Sequence, residues 1–247
     1  MRALYVGNDV VDLEQPRTEG RSADERFVAR VFDSDERAAI AAAGDADLEL
    51  WTRWAAKEAG YKVISKLIGA PPPFVHRAFK VAWTESAPEI QSAETDVVRR
   101  GRVTYEDYDA AVMVSRCPNG VHAIGFGVSD VARSSVRLHP RVALLDAPGT
   151  LWSAPLEKLR ARFTEPELDA VYSKQSAAVR LGARAHLARA LQVEEARLEI
   201  VCDPGPTSQR PPRVLLDGSR ADADVSLSHD GRWIAWVIWV PKETETT

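Results

Sequence analysis

The chain has 247 residues, of which 45% are hydrophobic and 28% are charged, enough for one large domain or two small ones with a real core. Its 32 Lys and Arg against 36 Asp and Glu give a formal net charge of -4. This balance argues against nucleic acid as the main partner, because phosphate backbones are bound by clustered basic charge. The two cysteines, Cys117 and Cys202, cannot build a disulfide framework or a Cys-rich zinc site. With no signal-peptide pattern and no apolar run near the roughly 18 residues of a membrane span, we expect a cytoplasmic protein with no membrane partner.

The first half of the chain is predicted to mix helices and strands. Residues 3–13 are rich in Leu, Tyr and Val and predict a buried strand. An apolar face at residues 27–32 predicts a helix, and the polar residues 33–36 are typical of the N-cap and first turn of the next helix. Residues 48–68 predict a long amphipathic helix that ends at Gly69. Further strands are predicted at residues 77–84, 101–105, 110–116 and 121–128.

The second half begins after a predicted connector at residues 131–150, which has room for one strand at 141–145. Glu165–Glu167, with proline near the first helical position, predicts the start of a helix. Residues 176–191 predict a second long amphipathic helix. A loop rich in Pro and Gly is predicted at residues 203–212. Strands are predicted at residues 197–202, 213–216, 224–228 and 233–240.

The two halves share one order of elements: an apolar strand, an acidic helix led by Phe, a long helix, and strands that end in a hairpin. Arg53–Glu58 aligns with Arg180–Ala185, and Val112–Arg116 aligns with Val225–His229. We therefore predict an internal repeat. The predicted fold class is α+β, with two similar α+β subdomains packed as a pseudo-dimer. The predicted subdomains are residues 1–135 and 136–247.

Two carboxylates in apolar surroundings are candidates for chemistry. Asp9 lies in the middle of an apolar strand, where it either caps a loop or is buried next to a cation. Glu58 and Lys62 are four residues apart on the long helix, so they either form an exposed ion pair or share a site. Two carboxylates and an ammonium would suit a divalent cation and a phosphate, because Mg²⁺ usually takes one or two carboxylates, water and phosphate oxygens. Lys62 could then deprotonate a hydroxyl or neutralise charge.

Ser226–Trp233 ends one strand and turns a hairpin. Its His229 is either structural or part of a turn that binds phosphate. A nucleophilic Ser–His pair with Ser228 is disfavoured, because adjacent residues of a strand point to opposite faces. Arg180 on the second long helix and Arg210 in the Pro/Gly loop are either solvated or contribute to a phosphate site, if the fold brings them to His229.

Three segments resemble the signature motifs of the 4′-phosphopantetheinyl transferases: Gly7–Leu13, Trp54–Lys62 and Ser226–Trp233. Together with the repeat, the resemblance covers nearly the whole chain. It implies the phosphopantetheinyl transferase fold. It also implies that the 4′-phosphopantetheine group of coenzyme A is transferred to a serine of an apo acyl or peptidyl carrier protein, with release of adenosine 3′,5′-bisphosphate.

The same resemblance implies roles for individual residues. Asp9 and Glu58 would hold Mg²⁺, or Mn²⁺, on the coenzyme A pyrophosphate. Lys62 would contact the pyrophosphate, and the acceptor of the serine proton is open between Glu58, Lys62 and water. A third metal ligand is open between Asp12 and water. The residues implied to bind coenzyme A are Lys57, Arg180, Arg210, Ser228 and His229.

The chain also departs from the family pattern. Val11 stands where long members often carry a second acid, and Glu165–Tyr172 is acidic and apolar where they are basic. The half with the acids comes first, whereas it comes second in long members, so the chain resembles either a circular permutant or two fused short units. Both accounts predict one composite site between the halves, termini that lie close together, and a monomer.

Two other functions stay open from the sequence. The departures favour a catalytically weak relative that binds coenzyme A or a carrier protein as a partner. The other is an unrelated α+β enzyme, in which the three motifs would match the family by chance. A carrier would be contacted by basic residues near the cleft, and Arg99, Arg100 and Arg102 are either such contacts or a solvated charge run.

Overall fold

The computed structural model describes residues 4–73, 75–84, 99–128, 138–205 and 210–241. The predicted boundary at 135/136 lies outside these residues. The helices are α1 (Glu25–Val31), α2 (Ser34–Ala42), α3 (Ala46–Ile68), α4 (Leu156–Arg160), α5 (Glu165–Leu168) and α6 (Lys174–Leu191). The strands are β1 (Leu4–Asp12), β2 (Lys80–Trp83), β3 (Arg99–Tyr105), β4 (Tyr108–Cys117), β5 (Gly120–Val128), β6 (Leu138–Leu144), β7 (Leu198–Val201), β8 (Arg213–Leu216), β9 (Ser219–Arg220), β10 (Asp224–Asp230) and β11 (Trp233–Trp239). None of the helices in these ranges is long and apolar enough to cross a membrane.

The first half is a five-stranded antiparallel sheet in the order β1-β5-β4-β3-β2. The long helix α3 packs on one face of β1, β5 and β4. Gly7 makes the closest approach possible, because a Cβ at this position would lie 2.1 Å from the carbonyl oxygen of Ala59. Asp9 is two residues further along β1 and therefore points toward the same helix. The glycine thus brings the carboxylate of the strand close to the polar residues of α3.

The second half repeats this pairing. β6, β11 and β10 form a sheet in the order β10-β11-β6, as β1, β5 and β4 do in the first half, and β7 pairs with β8 as β2 pairs with β3. The long helix α6 packs on β10 and β11. The predicted α+β class is confirmed, and the common order of pairing supports the predicted repeat.

A buried carboxylate network fixes the helices of the first half. Glu36 is the third residue of α2 and forms a capping box with Asp33. Its Oε2 accepts a hydrogen bond from Lys57 Nζ at 2.7 Å, and its Oε1 accepts one from the backbone N–H of Val81 at 3.0 Å. Lys57 also lies over the ring of Phe32. One buried glutamate therefore ties α2, α3 and β2 together.

The second half carries the same network with different residues. Glu167 is the third residue of α5 and forms a capping box with Thr164. Its Oε2 accepts from Arg184 at 3.1 Å, and its Oε1 accepts from the backbone N–H of Ile200 at 2.9 Å. Arg184 lies over the ring of Phe163, as Lys57 lies over Phe32. Because buried Glu and Lys or Arg occur almost only as pairs, this repeated pair is a strong sign that the two halves are built alike.

The two halves meet along the open edge of β1. The backbone N–H groups of every second residue on this edge donate to side chains of β10, always 218 residues further along the chain. The pairs are Val6–Asp224, Asn8–Ser226, Val10–Ser228 and Asp12–Asp230, at 2.7, 2.9, 3.2 and 2.9 Å. β10 therefore runs parallel to β1, and its side chains, rather than its backbone, accept the hydrogen bonds of the β1 edge.

Lysines of α3 complete this edge. Lys66 Nζ donates to the carbonyl oxygens of Val6 and Val225 and to Asp224, at 2.7 to 2.8 Å. The chain termini themselves lie outside the described residues. However, Leu4 of β1 and Trp239 of β11 belong to one hydrophobic cluster. The first and last described strands are therefore neighbours, as the predicted closeness of the termini requires.

Candidate active site

Asp9 is the point where residues from both halves converge. Its side chain is largely buried between β1 and α3. Its Oδ1 accepts a hydrogen bond from Ser228 Oγ at 2.8 Å and one from Lys62 Nζ at 3.2 Å. Lys62 Nζ also donates to the carbonyl oxygen of Asn8 at 2.6 Å. The structure thus brings Asp9, Lys62 and Ser228 together within one hydrogen-bonded group.

The charge of Asp9 is held in an unfavourable environment. Burial raises the pKa of Asp9 to about 6, the positive charge of Lys62 opposes this shift, and the negative charge of Glu58 adds to it. Glu58 is one helical turn before Lys62 on α3, and its Oε1 lies 3.6 Å from Nε2 of His76. Two carboxylates that repel each other beside an ammonium are a cluster that a divalent cation would stabilise.

The oxygen ligands available here suit a metal ion whose coordination shell is completed by a bound ligand. The described part of the chain contains no group of three or more His, Cys, Asp or Glu side chains that could hold a metal ion by themselves. Asp9 and Glu58 supply two carboxylates, and Mg²⁺ typically combines such a pair with water and phosphate oxygens. Mn²⁺ accepts the same oxygen ligands. The residues therefore fit a cation shared between the protein and a phosphorylated ligand.

Asp12 does not join this pair. Its carboxylate accepts from the backbone N–H groups of Glu14 and Arg232, at 3.1 and 3.0 Å, and so holds the β10–β11 turn. Val11 shares the α3-facing side of β1 with Asp9 and is buried in the hydrophobic core. Of the two open possibilities for a third ligand, Asp12 is already engaged in a structural role.

His229 lies next to this cluster on β10. Burial lowers the pKa of His229, and the positive charges of Lys62 and Arg180 lower it further. Arg180 on α6 donates to the carbonyl oxygen of Ser176 and contacts Cys202, while its buried Nε has no hydrogen-bond partner in the described ranges. Several cationic or polar donors therefore converge here with spare hydrogen-bonding capacity, which favours an anionic ligand.

A cavity of about 270 Å³ lies between α3 and β10 and includes Lys62 and Arg210. Its wall also contains Tyr61, Lys66, Cys202 and Ser226. The structure thus brings Arg210 to the same cleft as Lys62. Gln209, which precedes Arg210, lies outside the described residues.

Two aromatic residues near the site were missed by the sequence reasoning. His76 stacks on Trp54, with ring centroids 4.4 Å apart, and lies beside Glu58. Tyr172 is 68% exposed, and its ring centroid lies 6.3 Å from that of His229. Neither belongs to a motif, and only the fold brings them to the cleft.

The position of Lys57 differs from the one predicted for a residue that binds coenzyme A. Its side chain is fully buried, and its Nζ donates to Glu36 and to the carbonyl oxygens of His76 and Phe79, at 2.7, 3.2 and 2.6 Å. All three ammonium hydrogens are therefore used inside the first half. Lys57 supports the fold and does not face the cleft that contains Lys62, so the expected contact with coenzyme A is wrong.

Comparison with known proteins agrees with the motifs. Residues 5–112, which include Asp9, Glu58 and Lys62, match the family model described as the 4′-phosphopantetheinyl transferase superfamily. The mitochondrial holo-[acyl-carrier-protein] synthase of Eremothecium gossypii is 30% identical over 112 residues, which cover 42% of this chain and 64% of that protein. The holo-[acyl-carrier-protein] synthase of Shewanella amazonensis is 33% identical over 76 residues, which cover 31% of this chain and 61% of that protein.

The chain therefore spans less than two thirds of the length of these relatives. The match falls on the half that carries the two carboxylates, and its fold is the expected mixture of helices and antiparallel strands. Residues 5–112 are thus similar to the 4′-phosphopantetheinyl transferase superfamily.

Proposed function

We propose that the protein transfers the 4′-phosphopantetheine group of coenzyme A to a serine of an apo acyl or peptidyl carrier protein and releases adenosine 3′,5′-bisphosphate. One observation carries this proposal: Ser228 of the second half donates to Asp9 of the family-matched half at 2.8 Å. A carboxylate from one half and a phosphate-binding candidate from the other are thereby in direct contact. The two relatives that are named holo-[acyl-carrier-protein] synthase support the substrate class.

In the proposed reaction, the serine oxygen attacks the phosphorus that carries the pantetheine arm. A new O–P bond forms, the bridging P–O bond breaks, and the bisphosphate leaves with the electron pair. Asp9 and Glu58 would hold Mg²⁺ or Mn²⁺, which when bound neutralises charge on the pyrophosphate. The protein positions the two reactants and stabilises charge, with little covalent chemistry of its own.

Lys62 is the cation nearest to the carboxylates, and we assign it to the pyrophosphate. Its ammonium now donates to Asp9 and to the Asn8 carbonyl, so it can exchange one of these partners for a phosphate oxygen. The serine proton passes to Glu58, to Lys62 or to a water molecule. Glu58 is partly exposed and has a side-chain oxygen beside His76, which makes it reachable from the cleft.

Ser228, His229, Arg180 and Arg210 would hold the phosphates of coenzyme A. The positive charge of Arg180 is close enough to lower the pKa of His229, and Arg210 shares a cavity with Lys62. An anion among these groups relieves their mutual repulsion, which gives the nucleotide end of coenzyme A a reason to bind here.

The second candidate is a catalytically weak relative that binds coenzyme A or a carrier protein. It is favoured by Val11, which places a buried hydrocarbon where an acid would complete the metal site. Its observable difference from the first candidate is binding without transfer.

Incubation with apo carrier proteins, coenzyme A and Mg²⁺, followed by intact mass measurement, separates the two candidates. Transfer predicts a carrier whose mass is increased by one phosphopantetheine group. Asp9→Asn and Glu58→Gln should each lower the rate at least about 100-fold, because each removes one of two carboxylates from the metal. A folded protein that binds coenzyme A and modifies no carrier of fatty-acid, polyketide or nonribosomal peptide type would favour the second candidate.

A further inference from the structure

The internal repeat gives each phosphate-binding candidate of the second half a counterpart in the first half. The buried pairs Lys57–Glu36 and Arg184–Glu167 align α3 with α6. Four residues before these cations, Arg53 then corresponds to Arg180. The side chains of these two arginines are both largely buried.

The strands extend this correspondence. Val114 pairs with Ala123 in the first half as Leu227 pairs with Trp236 in the second, and the residues that follow are Ser115 and Arg116 in one half and Ser228 and His229 in the other. The strands β4 and β10 therefore place a serine and a cationic or basic side chain at the same positions.

The third counterpart follows from the buried glutamates. Val81 pairs with Val103, and Ile200 pairs with Val214, while Val81 and Ile200 each donate their backbone N–H to the network glutamate of their half. Four residues before each valine stands an arginine: Arg99 before Val103, and Arg210 before Val214. Every member of the phosphate-binding set thus has a partner in the first half.

Three of these counterparts, Arg99, Ser115 and Arg116, line a second cavity of about 270 Å³, whose wall also contains Asp45, Glu49 and Thr52. We call it the first-half arginine pocket. Arg53 is not part of the wall but contacts it through Glu49, to which its Nε donates at 2.7 Å, and Arg99 also pairs with Glu49. Arg116 is exposed and has no ion-pair partner among the residues described.

The charges of this pocket favour an anion. Arg99 and Arg116 in the wall, with Arg53 behind Glu49, carry three positive charges against the two carboxylates of Asp45 and Glu49, although the whole chain is negative. Trp83, whose ring lies under Arg99 and Arg53, has a buried Nε1 without a hydrogen-bond acceptor. Glu49 is shared between Arg53 and Arg99, and Asp45 already accepts from the backbone N–H of Leu48, so a phosphate group would add acceptors for Arg116 and Arg99.

The metal carboxylates have no counterpart in the second half. Glu58 corresponds to Ala185 on α6. Asp9 pairs with Ala123, and the residue that pairs with the corresponding Trp236 is Arg141. A ligand in the first-half arginine pocket would therefore meet no counterparts of Asp9 and Glu58.

We propose that the first-half arginine pocket binds the phosphate groups of a nucleotide without transferring anything. Glu49 occupies the position of Ser176 in the second half, and its carboxylate competes with the phosphate for Arg53 and Arg99. The pocket therefore binds more weakly than the site around His229. The choice of nucleotide as probe rests on the proposed function, but the site does not depend on catalysis.

Calorimetric titration of the full chain with adenosine 3′,5′-bisphosphate, without divalent metal, tests this directly. We expect two binding events for the unaltered protein. Arg116→Ala should weaken the weaker event about tenfold and leave the tighter event and the transfer rate unchanged. His229→Ala is the matched control in the other half and should weaken only the tighter event.

Substitution of Glu49, whose carboxylate competes with the phosphate, gives the more discriminating test. Glu49→Ser, which copies the second half, should tighten the weaker event about tenfold. Should this variant unfold at a lower temperature, Glu49→Gln removes the charge while keeping the shape. A single binding event in the unaltered protein and in both Glu49 variants would overturn the proposal, whether or not the protein transfers phosphopantetheine.

The pocket could instead contact an acidic protein surface. In that case Arg116→Ala would raise the Michaelis constant for the carrier and leave nucleotide binding unchanged. This result would also overturn the proposal. The enclosed volume of about 270 Å³, into which a flat protein surface would not fit, favours the small anion.

Discussion

Asp9 combines two roles that oppose each other at the scale of a single residue. Its Oδ1 holds Ser228 and Lys62, which joins the halves, yet its charge is buried close to Glu58. Without a metal, the negative form of Asp9 is therefore a cost to the folded protein. Such destabilising interactions are common at ligand-binding sites, because the bound ligand relieves them.

The first prediction concerns the effect of pH in the presence of a chelator. The pKa of Asp9 rises from 3.8 to about 6 on folding, so the folded state binds this proton more tightly than the unfolded state. The stability contributed by protonated Asp9 is then present below about pH 4 and is lost as the pH rises through about 6. Asp9→Asn should abolish this loss and be more stable than the unaltered protein at pH 7 by on the order of 2 kcal/mol.

Urea unfolding at several pH values measures this effect. Asp222→Asn, at an exposed aspartate, is the control and should keep the pH dependence of the unaltered protein. An unchanged slope in Asp9→Asn would contradict the assignment of the buried charge to Asp9.

Lys57 and Glu58 are adjacent in the sequence but serve different sides of α3. Successive residues of a helix are separated by about 100° around its axis. Glu58 therefore shares a face with Lys62 and reaches the cleft, whereas Lys57 points to Glu36. The motif gives residue types in order and carries no information about rotation, which is why the sequence reasoning placed Lys57 at the wrong site.

Lys57→Met should lower the free energy of unfolding by about 3–5 kcal/mol, because it leaves the charge of Glu36 buried without its partner. Lys57→Arg, which copies Arg184 of the second half, should retain most of the stability. Both can be measured by chemical denaturation. If Lys57→Met kept full stability but raised the Michaelis constant for coenzyme A, Lys57 would belong to the active site after all.

At the scale of elements, β1 is an edge strand that has a partner of an unusual kind. One edge pairs with β5 through backbone hydrogen bonds. On the other edge, N–H groups of β1 donate to side chains of β10, and carbonyl oxygens of β1 accept from lysines of α3. Unpaired strand edges invite association with other chains. Covering the edge with Ser and Asp side chains prevents such association and places Ser228 and His229 beside Asp9.

Ser226→Ala tests how much this edge contributes to stability. It leaves the buried backbone N–H of Asn8 without an acceptor and should cost about 1–3 kcal/mol of stability. Ser219→Ala, at an exposed serine of β9, is the control and should change stability by less than about 0.5 kcal/mol. A neutral Ser226→Ala would mean that the edge is satisfied in another way.

The elements themselves were largely predictable, because hydrophobic periodicity indicates the type of an element directly. The long helices predicted at 48–68 and 176–191 are observed at Ala46–Ile68 and Lys174–Leu191. The predicted strand at 77–84 is instead a one-turn helix at His76–Ala78 followed by β2. The hydrogen bonds from the backbone of β1 to side chains of β10 were beyond prediction, since side chains that bind a distant backbone leave no periodic pattern of their own.

At the scale of the whole molecule, one chain contains both halves of the candidate site. Asp9, Glu58 and Lys62 come from the first half, and Ser228, His229 and Arg180 from the second. The resemblance and the repeat predicted this division, whereas the buried glutamate networks that build it were hidden, because Glu and Lys are usually surface residues.

A site completed within one chain requires no second copy. We therefore predict a monomer, with a sedimentation mass near 27.2 kDa at concentrations where transfer is measured. A transfer rate per chain that rises with protein concentration, together with a doubled mass, would contradict this.

The spacing of 218 residues between the paired positions of β1 and β10 has a consequence for synthesis in the cell. A ribosome adds about 5–20 residues each second, so β1 waits about 10–40 s for the strand that covers its edge. During this time the strand that carries Asp9 is open to other nascent chains or to a chaperone. The proposed activity would therefore begin only once translation has passed the last hairpin, and a chain that ends within the final strands would have its acids in place but no cleft.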